Sequence, residues 1–311
     1  MNFGLATLRR NGGYIAALEI GDCFWALDVL RDNGIVVPSA DVKQLLENWS
    51  VAFPQLQEAA AVCDSGKIAR SLAIPRGDAV LDVPIRFPNK LLAVGANYAG
   101  HLAEMGMPPK RMEPMQFFLK PPTTAMVGPG RTVIMPLHTQ SLDWEIELAV
   151  VIGTRMSHVS PEVAMAGVAG YAVGIDLSAR DLLIQPNSAL KFDMMRGKCQ
   201  DSMCPFGPVV RPAAFVPNPH DLMLKLSVNG VLRQHASTNE MLFRIEEQLS
   251  IISEIITLEP GDVVLTGTPS GSGAHHGIYL QPGDHLTAEI EQVGSLAVEI
   301  VASSHATVEA A

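Results

Sequence analysis

The sequence predicts an α+β, β-rich fold, in which a mixed β-roll or sandwich core follows a small N-terminal α/β appendage. Three observations lead there. Short strand-like runs recur from about residue 85 onward, Gly- and Pro-bearing turns separate them, and the few helical stretches do not alternate with them as a doubly wound sheet requires. At 311 residues the chain accommodates one large domain, or a small one beside a larger. With 48% hydrophobic and 17% charged residues it has ample material for a core, which excludes global disorder.

Residues 3–9 and 14–20 read as two strands. Arg10-Asn11-Gly12-Gly13 joins them as a hairpin turn, because Asn-Gly and Gly-Gly accept positive φ. A third strand covers 23–27, and 41–63 has helical periodicity that is expected to break near Pro54. Pro75-Arg76-Gly77-Asp78 and the proline-spaced stretch 82–90 then mark a boundary, placing a small domain at 1–80 and a larger one at 85–305. The larger one carries strand-like runs at 91–94, 115–119, 145–152, 169–175, 224–228, 263–265, 286–290 and 297–301. Turns such as Gly128-Pro129-Gly130, Glu259-Pro260-Gly261-Asp262 and Gln281-Pro282-Gly283-Asp284 punctuate them. Helical patterns fall at 98–105, 160–167 and 240–256, no repeat of 20–50 residues is visible, and the tail 301–311 looks unstructured.

Lys and Arg number 22 against 32 Asp and Glu, a net charge of −10 that argues against nucleic acid, whose phosphates need clustered cations. Anionic small molecules stay open, because a few buried cations override net charge locally. Cys23, Cys63, Cys199 and Cys204 form neither a CxxC pair nor a zinc spacing, which suits a reducing interior. No run approaches the ~18 apolar residues of a membrane span, and the N-terminal stretch lacks a signal-peptide pattern. The expectation is a cytoplasmic, soluble protein.

The sharpest chemical feature is Asp143-Trp144-Glu145-Ile146-Glu147, leading into an apolar run. In a strand, Glu145 and Glu147 share one face while Trp144, Ile146 and Leu148 take the other. Two neighbouring carboxylates repel and lose hydration on burial, and a cation between them relieves both penalties. Asp176 ends the apolar run 170–175 and adds a third carboxylate. An oxygen-only set suits Mg2+, Mn2+ or Ca2+ over zinc. Solvated acids on an exposed strand face would give the same pattern without an ion.

If a helix starts near Tyr98, His101 and Glu104 stand at i and i+3 and face each other. A carboxylate-oriented His is the usual general-base arrangement; a surface ion pair is the plainer reading of such a pair alone. Lys120, Arg180 and Lys198 lie beside apolar or Gly/Pro-rich segments and suit semi-buried anion holders, though surface placement is the default for each. The loop from Gly267 and Thr268 to Gly273 offers backbone N–H groups to a carboxylate but lacks the ending of a phosphate loop. His275-His276 fits a metal site or, more simply, a polar loop. No GxSxG, HExxH or GxGxxG occurs, which removes ordinary serine hydrolases, zincins and dinucleotide-dependent oxidoreductases.

In this order, AVGANYAGHLAEMG, FFLKPPTTAMVGPG, LDWEIELAVVIG, VAGYAVGIDLSARDL, RGKCQDSMCPFGPVV, LSVNGVLRQHAST and LEPGDVVLTGTPSGSG resemble the fumarylacetoacetate hydrolase family over residues 90–290. The resemblance implies a mixed β-roll core, a homodimer and a Mg2+ or similar cation held by Glu145, Glu147 and Asp176. It implies a catalytic His101–Glu104 dyad on a segment that often closes as a lid, with Arg180 and Lys198 near the metal. Lys120, Thr268 and Gly267 match substrate-side positions. The implied substrates are 2-oxo acids and 1,3-dicarbonyl acids. The favoured reaction is hydrolysis of an acylpyruvate C–C bond through a metal-held enolate. Decarboxylation of an oxaloacetate-type acid, isomerisation or tautomerisation, and sugar-acid dehydration are alternatives on the same parts, and a binding protein retaining the fold is the non-enzyme alternative. The sequence departs from the usual pattern at Lys198-Cys199-Gln200-Asp201, at His275-His276 and over 183–194, all expected near the distal end of a substrate.

Overall fold

The computed structural model describes residues 1–10 and 12–303. A 12-stranded sheet runs through the molecule. From one end its main path is Ile74–Pro75, Cys23–Ala26, Gly13–Ile20, Gly4–Arg10, Cys204–Pro212, Val168–Ile175, Ile146–Ile152, Val263–Leu265, Leu91–Val94 and Phe117–Lys120. A five-stranded sheet, Val231–Ser237, Met223–Val228, His285–Ile290, Gly294–Val301 and Thr132–Ile134, packs against it. Strands and helices are mixed and strands dominate, as the sequence predicts. The expectation for the tail falls, beyond residue 303, outside the described residues.

Two apolar layers sandwich the large sheet. On one face Leu148, Val150 and Ile152 pack with Leu226, Leu286 and Val298 of the smaller sheet and with Leu249 and Ile252 of helix Ile245–Ile255. On the other face Ala149 and Val151 pack with Phe3, Leu5, and Ala52, Leu56 and Ala59 of helix Trp49–Asp64. Residues 1–80 therefore extend the sheet with four strands, Leu5 pairing with Val210 at the junction, and lay helix Trp49–Asp64 against one of its faces. All 7 residues of Ile146–Ile152 are buried. Burial of each large apolar side chain is worth roughly 1.5–3 kcal/mol, which makes this strand a rigid platform.

The helical region over 41–63 differs from expectation in one respect. The break lies at Asn48, between helices Val42–Glu47 and Trp49–Asp64, and Pro54 sits inside the second helix. The carbonyl that Pro54 cannot serve belongs to Ser50, an exposed residue open to solvent. Among the described residues no helix is long and apolar enough to cross a membrane.

Candidate active site and metal centre

The glutamate strand pairs antiparallel with Val168–Ile175 in the register Ile146↔Ile175 and Glu147↔Gly174. Continuing that register by one residue sets Asp176 opposite Glu145, and the Asp176 N–H donates to the Glu145 carbonyl at 2.8 Å. Period-two alternation then turns Glu145, Glu147 and Asp176 to the same face. One oxygen from each lies within 4.8 Å of the others, and all three residues are buried.

Like charges opposite one another destabilise a sheet, so counter-charges are built in. Lys198, the last residue of helix Met194–Lys198, places Nζ 2.6 Å from Glu145 Oε2 and 2.7 Å from Asp176 Oδ2. Lys120, ending strand Phe117–Lys120, donates to Asp176 Oδ1 at 2.5 Å and to the Lys198 carbonyl. Arg180 bridges Asp143 Oδ2 at 2.9 Å and Glu145 Oε1 at 2.6 Å. Asp143, fully buried, completes the constellation.

Glu145 and Glu147 respond oppositely. Burial pushes the Glu145 carboxyl up, but Lys198, Arg180 and His101 outweigh it and hold the group below the ordinary range. Burial, then Asp176 and Glu145, push the Glu147 carboxyl well above that range, against a partial offset from Lys198 and the Gly267 N–H. Among the described residues its side chain accepts one hydrogen bond, from Gly267 N at 2.6 Å. Burial works against the Lys198 ammonium, yet Asp176 and Glu145 keep its pKa above the ordinary value, so it is a fixed cation and not a base. With every carboxyl ionised, Asp143, Glu145, Glu147 and Asp176 outnumber Lys120, Arg180 and Lys198. A hard divalent ion among the three clustered oxygens fits that deficit and the donor set.

The helix Ala99–Glu104 carries the predicted dyad over this cluster. Asn97 anchors its start, donating to the Phe243 and Thr266 carbonyls and accepting from Phe243 N. His101 is buried, with Nε2 4.0 Å from Glu145 Oε1 and Nδ1 3.8 Å from Glu104 Oε2. At that separation Nδ1 has no hydrogen-bond partner among the described residues. Glu104 accepts from Gly271 N at 2.7 Å and more distantly from Ser272. Burial raises its carboxyl, while His101 and these N–H groups bring the net below the ordinary range.

The structure thus brings together Glu145, Glu147, Asp176, His101, Glu104, Lys198 and Arg180. Lys120 faces Asp176 of the carboxylate cluster. The Thr268 hydroxyl donates to the Ile146 carbonyl at 2.9 Å and accepts from Gln234 Nε2 at 2.9 Å, so it braces the glutamate strand. Gly267 contributes its N–H to Glu147. His275 and His276 lie exposed on the short helix Gly273–His276, outside the carboxylate cluster. Sequence reasoning passed over three buried residues here. Asp143 shares the parity of Glu145 and Glu147, a signal that extends the same alternation by one step. Asn97 and Gln234 gave none, because their partners lie far along the chain.

The family profile described as the fumarylacetoacetate (FAA) hydrolase C-terminal domain matches residues 90–301. A mitochondrial oxaloacetate tautomerase of Bos taurus is 36% identical over 273 residues, covering 87% of this chain and 85% of its own. Maleylpyruvate hydrolase from Sphingobium sp. SYK-6, solved with manganese(II) and pyruvate, superposes with a TM-score of 0.76 at 30% identity, covering 97% of this chain and 100% of its own. Fumarylpyruvate hydrolase from Pseudomonas aeruginosa, solved with Mn2+ and pyruvate, gives 0.64 at 33% identity over 71% of this chain and 91% of its own.

Proposed function

The chain belongs to the fumarylacetoacetate hydrolase family, and from that premise we propose that it is a divalent-cation enzyme that hydrolyses a C–C bond in acylpyruvate-type 2-oxo acids. The observation that carries this is the placement of the His101–Glu104 pair against the carboxylate triad, with His101 Nε2 4.0 Å from Glu145 Oε1. Glu145, Glu147 and Asp176 would hold the cation, Mg2+ first and Mn2+ second. When bound it supplies Lewis acidity, drawing electron density from a 2-oxo carboxylate.

The chain's own groups do the rest. His101 Nε2 takes a proton from the water that attacks the distal carbonyl, and Glu104 steadies the resulting imidazolium. The C–C bond breaks toward carbon 3, and His101 returns the proton there, giving pyruvate and a carboxylic acid that ionises to its carboxylate on release. Arg180 and Lys198 balance the negative charge that develops during cleavage. Helix Ala99–Glu104 covers the site and excludes bulk water.

A second reading, tautomerisation of an oxaloacetate-type acid, is favoured by the 36% identity to the bovine tautomerase. It needs only the transfer of a proton between carbon 3 and the 2-oxo oxygen. Acetylpyruvate and oxaloacetate, each assayed with Mg2+, Mn2+ and EDTA, separate the two. Pyruvate and acetate from acetylpyruvate support the hydrolase. Accelerated enol–keto exchange of oxaloacetate without acetylpyruvate cleavage supports the tautomerase, and CO2 release instead selects a decarboxylase. No metal-dependent turnover of any 2-oxo acid overturns the enzyme reading in favour of a binding protein. Homodimerisation is part of the proposal: Ile184, Leu190, Phe192 and Met195 form an exposed apolar stretch that a second copy would cover, and light scattering tests it.

A further inference from the structure

Four successive backbone N–H groups, at residues 271–274, all point at carboxylates. Gly271 N donates to Glu104 Oε1 at 2.7 Å and Ser272 N to Glu104 Oε2 at 3.4 Å. Gly273 N donates to Asp143 Oδ1 at 2.6 Å and Ala274 N to Asp143 Oδ2 at 3.1 Å. One loop therefore seats the dyad carboxylate on one side and is itself seated on a fully buried aspartate on the other. The indole of Trp144 adds a third hold, donating from Nε1 to the Gly271 carbonyl at 3.0 Å.

The loop is shaped for this. Gly271 has φ of 101°, where a side chain is strained, and an added Cβ would also run into the Arg233 carbonyl. A Cβ on Gly273 would run into the Ile278 carbonyl and stand 2.7 Å from Asp143 Oδ1 and 2.9 Å from the Trp144 ring. On the helix side, a Cβ on Gly100 would lie 3.1 Å from the Ser270 side chain, so helix and loop meet closely.

Asp143 also accepts from Arg180 Nε at 2.9 Å, and Arg180 holds Glu145 Oε1, the same oxygen that His101 Nε2 approaches at 4.0 Å. The contacts close a ring: Glu104, His101, Glu145, Arg180, Asp143, loop 271–274 and back to Glu104. We propose that Asp143 is a positioning residue, fixing the His101–Glu104 pair over the carboxylate triad through loop 271–274 while holding Arg180 against Glu145. Its expected effect on turnover rests on the function proposed above; its effect on the helix does not.

The test is Asp143→Asn in the full-length protein, which keeps the size but turns an N–H donor toward Arg180 or the Ala274 N–H. Hydrogen exchange, read by mass spectrometry without substrate, should quicken at 98–106 and 270–276 by roughly 10- to 100-fold, the scale of one buried charge-assisted hydrogen bond. Exchange at Val168–Ile175 should keep its parental rate, and Trp144 emission, isolated in a Trp25→Phe/Trp49→Phe background, should shift. If the protein turns over a 2-oxo acid, kcat should fall by a similar factor. Asp143→Ser, which keeps an oxygen for one loop N–H and gives up the other, should reproduce the pattern should the Asn variant fail to fold. Parental exchange at 98–106, or an equal rise through Val168–Ile175, would overturn the assignment. That readout stands even if no 2-oxo acid proves to be a substrate.

Discussion

Replacing Glu147 with Gln should move stability in opposite directions with and without a cation. Glu147 is buried beside Glu145 and Asp176, and burial followed by those two acids lifts its carboxyl well above the ordinary value of 4.5. Two carboxylate oxygens no more than 4.8 Å apart repel by about 3.5 kcal/mol or more at an effective dielectric of about 20. In the fold the ionised form therefore carries a penalty that the unfolded chain, ionising near 4.5, does not. With the folded pKa raised, the folded state keeps a proton that the unfolded chain releases, so stability falls as pH rises above the ordinary carboxylate range. Gln removes that slope and mimics the neutral acid, and its carbonyl still accepts from Gly267 N. In EDTA the variant should melt higher at pH 7, by roughly 5 °C, and near the parent at pH 4.5. With Mn2+ the parent should gain stability that the variant lacks, because a charged oxygen ligand is gone. Differential scanning calorimetry at both pH values, with EDTA and with Mn2+, reads all four conditions. If Glu147→Gln lowers the melting temperature in EDTA at pH 7, Glu147 is a satisfied structural carboxylate and the metal-site argument fails.

Three further outcomes follow from the same geometry. His101→Ala should lower kcat by about 10²–10⁴ while Mn2+ affinity, followed by calorimetric titration, holds, since the triad is intact; unchanged turnover would remove His101 from the chemistry. Lys198→Met deletes the ammonium 2.6 Å from Glu145 and 2.7 Å from Asp176. Titration should show Mn2+ affinity kept or raised while turnover falls about a hundredfold, and weakened metal binding would contradict the view of Lys198 as an internal counter-cation. Burial pushes the Cys204 thiol up to about 12 and the Cys63 thiol up to about 11. A thiol reagent at pH 8 should therefore label half-exposed Cys23 first and reach those two only on unfolding, whereas fast native labelling of Cys204 would contradict its burial.

The parts of the site that were legible in the sequence obey local periodicity. Alternation along 145–151 put Glu145 and Glu147 on one face, and the i, i+3 spacing brought His101 to Glu104. Long-range partners were not legible. Asp143 meets Arg180 because Leu142–Asp143 pairs with Ser178–Ala179, a contact no local pattern announces. Strand Cys204–Pro212 escaped notice because Pro205, Gly207, Pro208 and Pro212 read as breakers. It survives in the interior of the sheet by an irregular ladder, with the register shifting between Tyr171 and Val173 of its neighbour. Strand Val231–Ser237 is a half-exposed edge whose polar residues mask it, and Gln234 there is buried only because it supplies the partners that Ile146 and the 268–269 loop would otherwise lack.

The most direct test is anomalous diffraction at the manganese edge from crystals grown with Mn2+. A single strong peak bounded by Glu145 from one strand, Glu147 beside it and Asp176 from the neighbouring strand is the predicted result. Manganese found elsewhere, with Lys198 still lodged between Glu145 and Asp176, would contradict it.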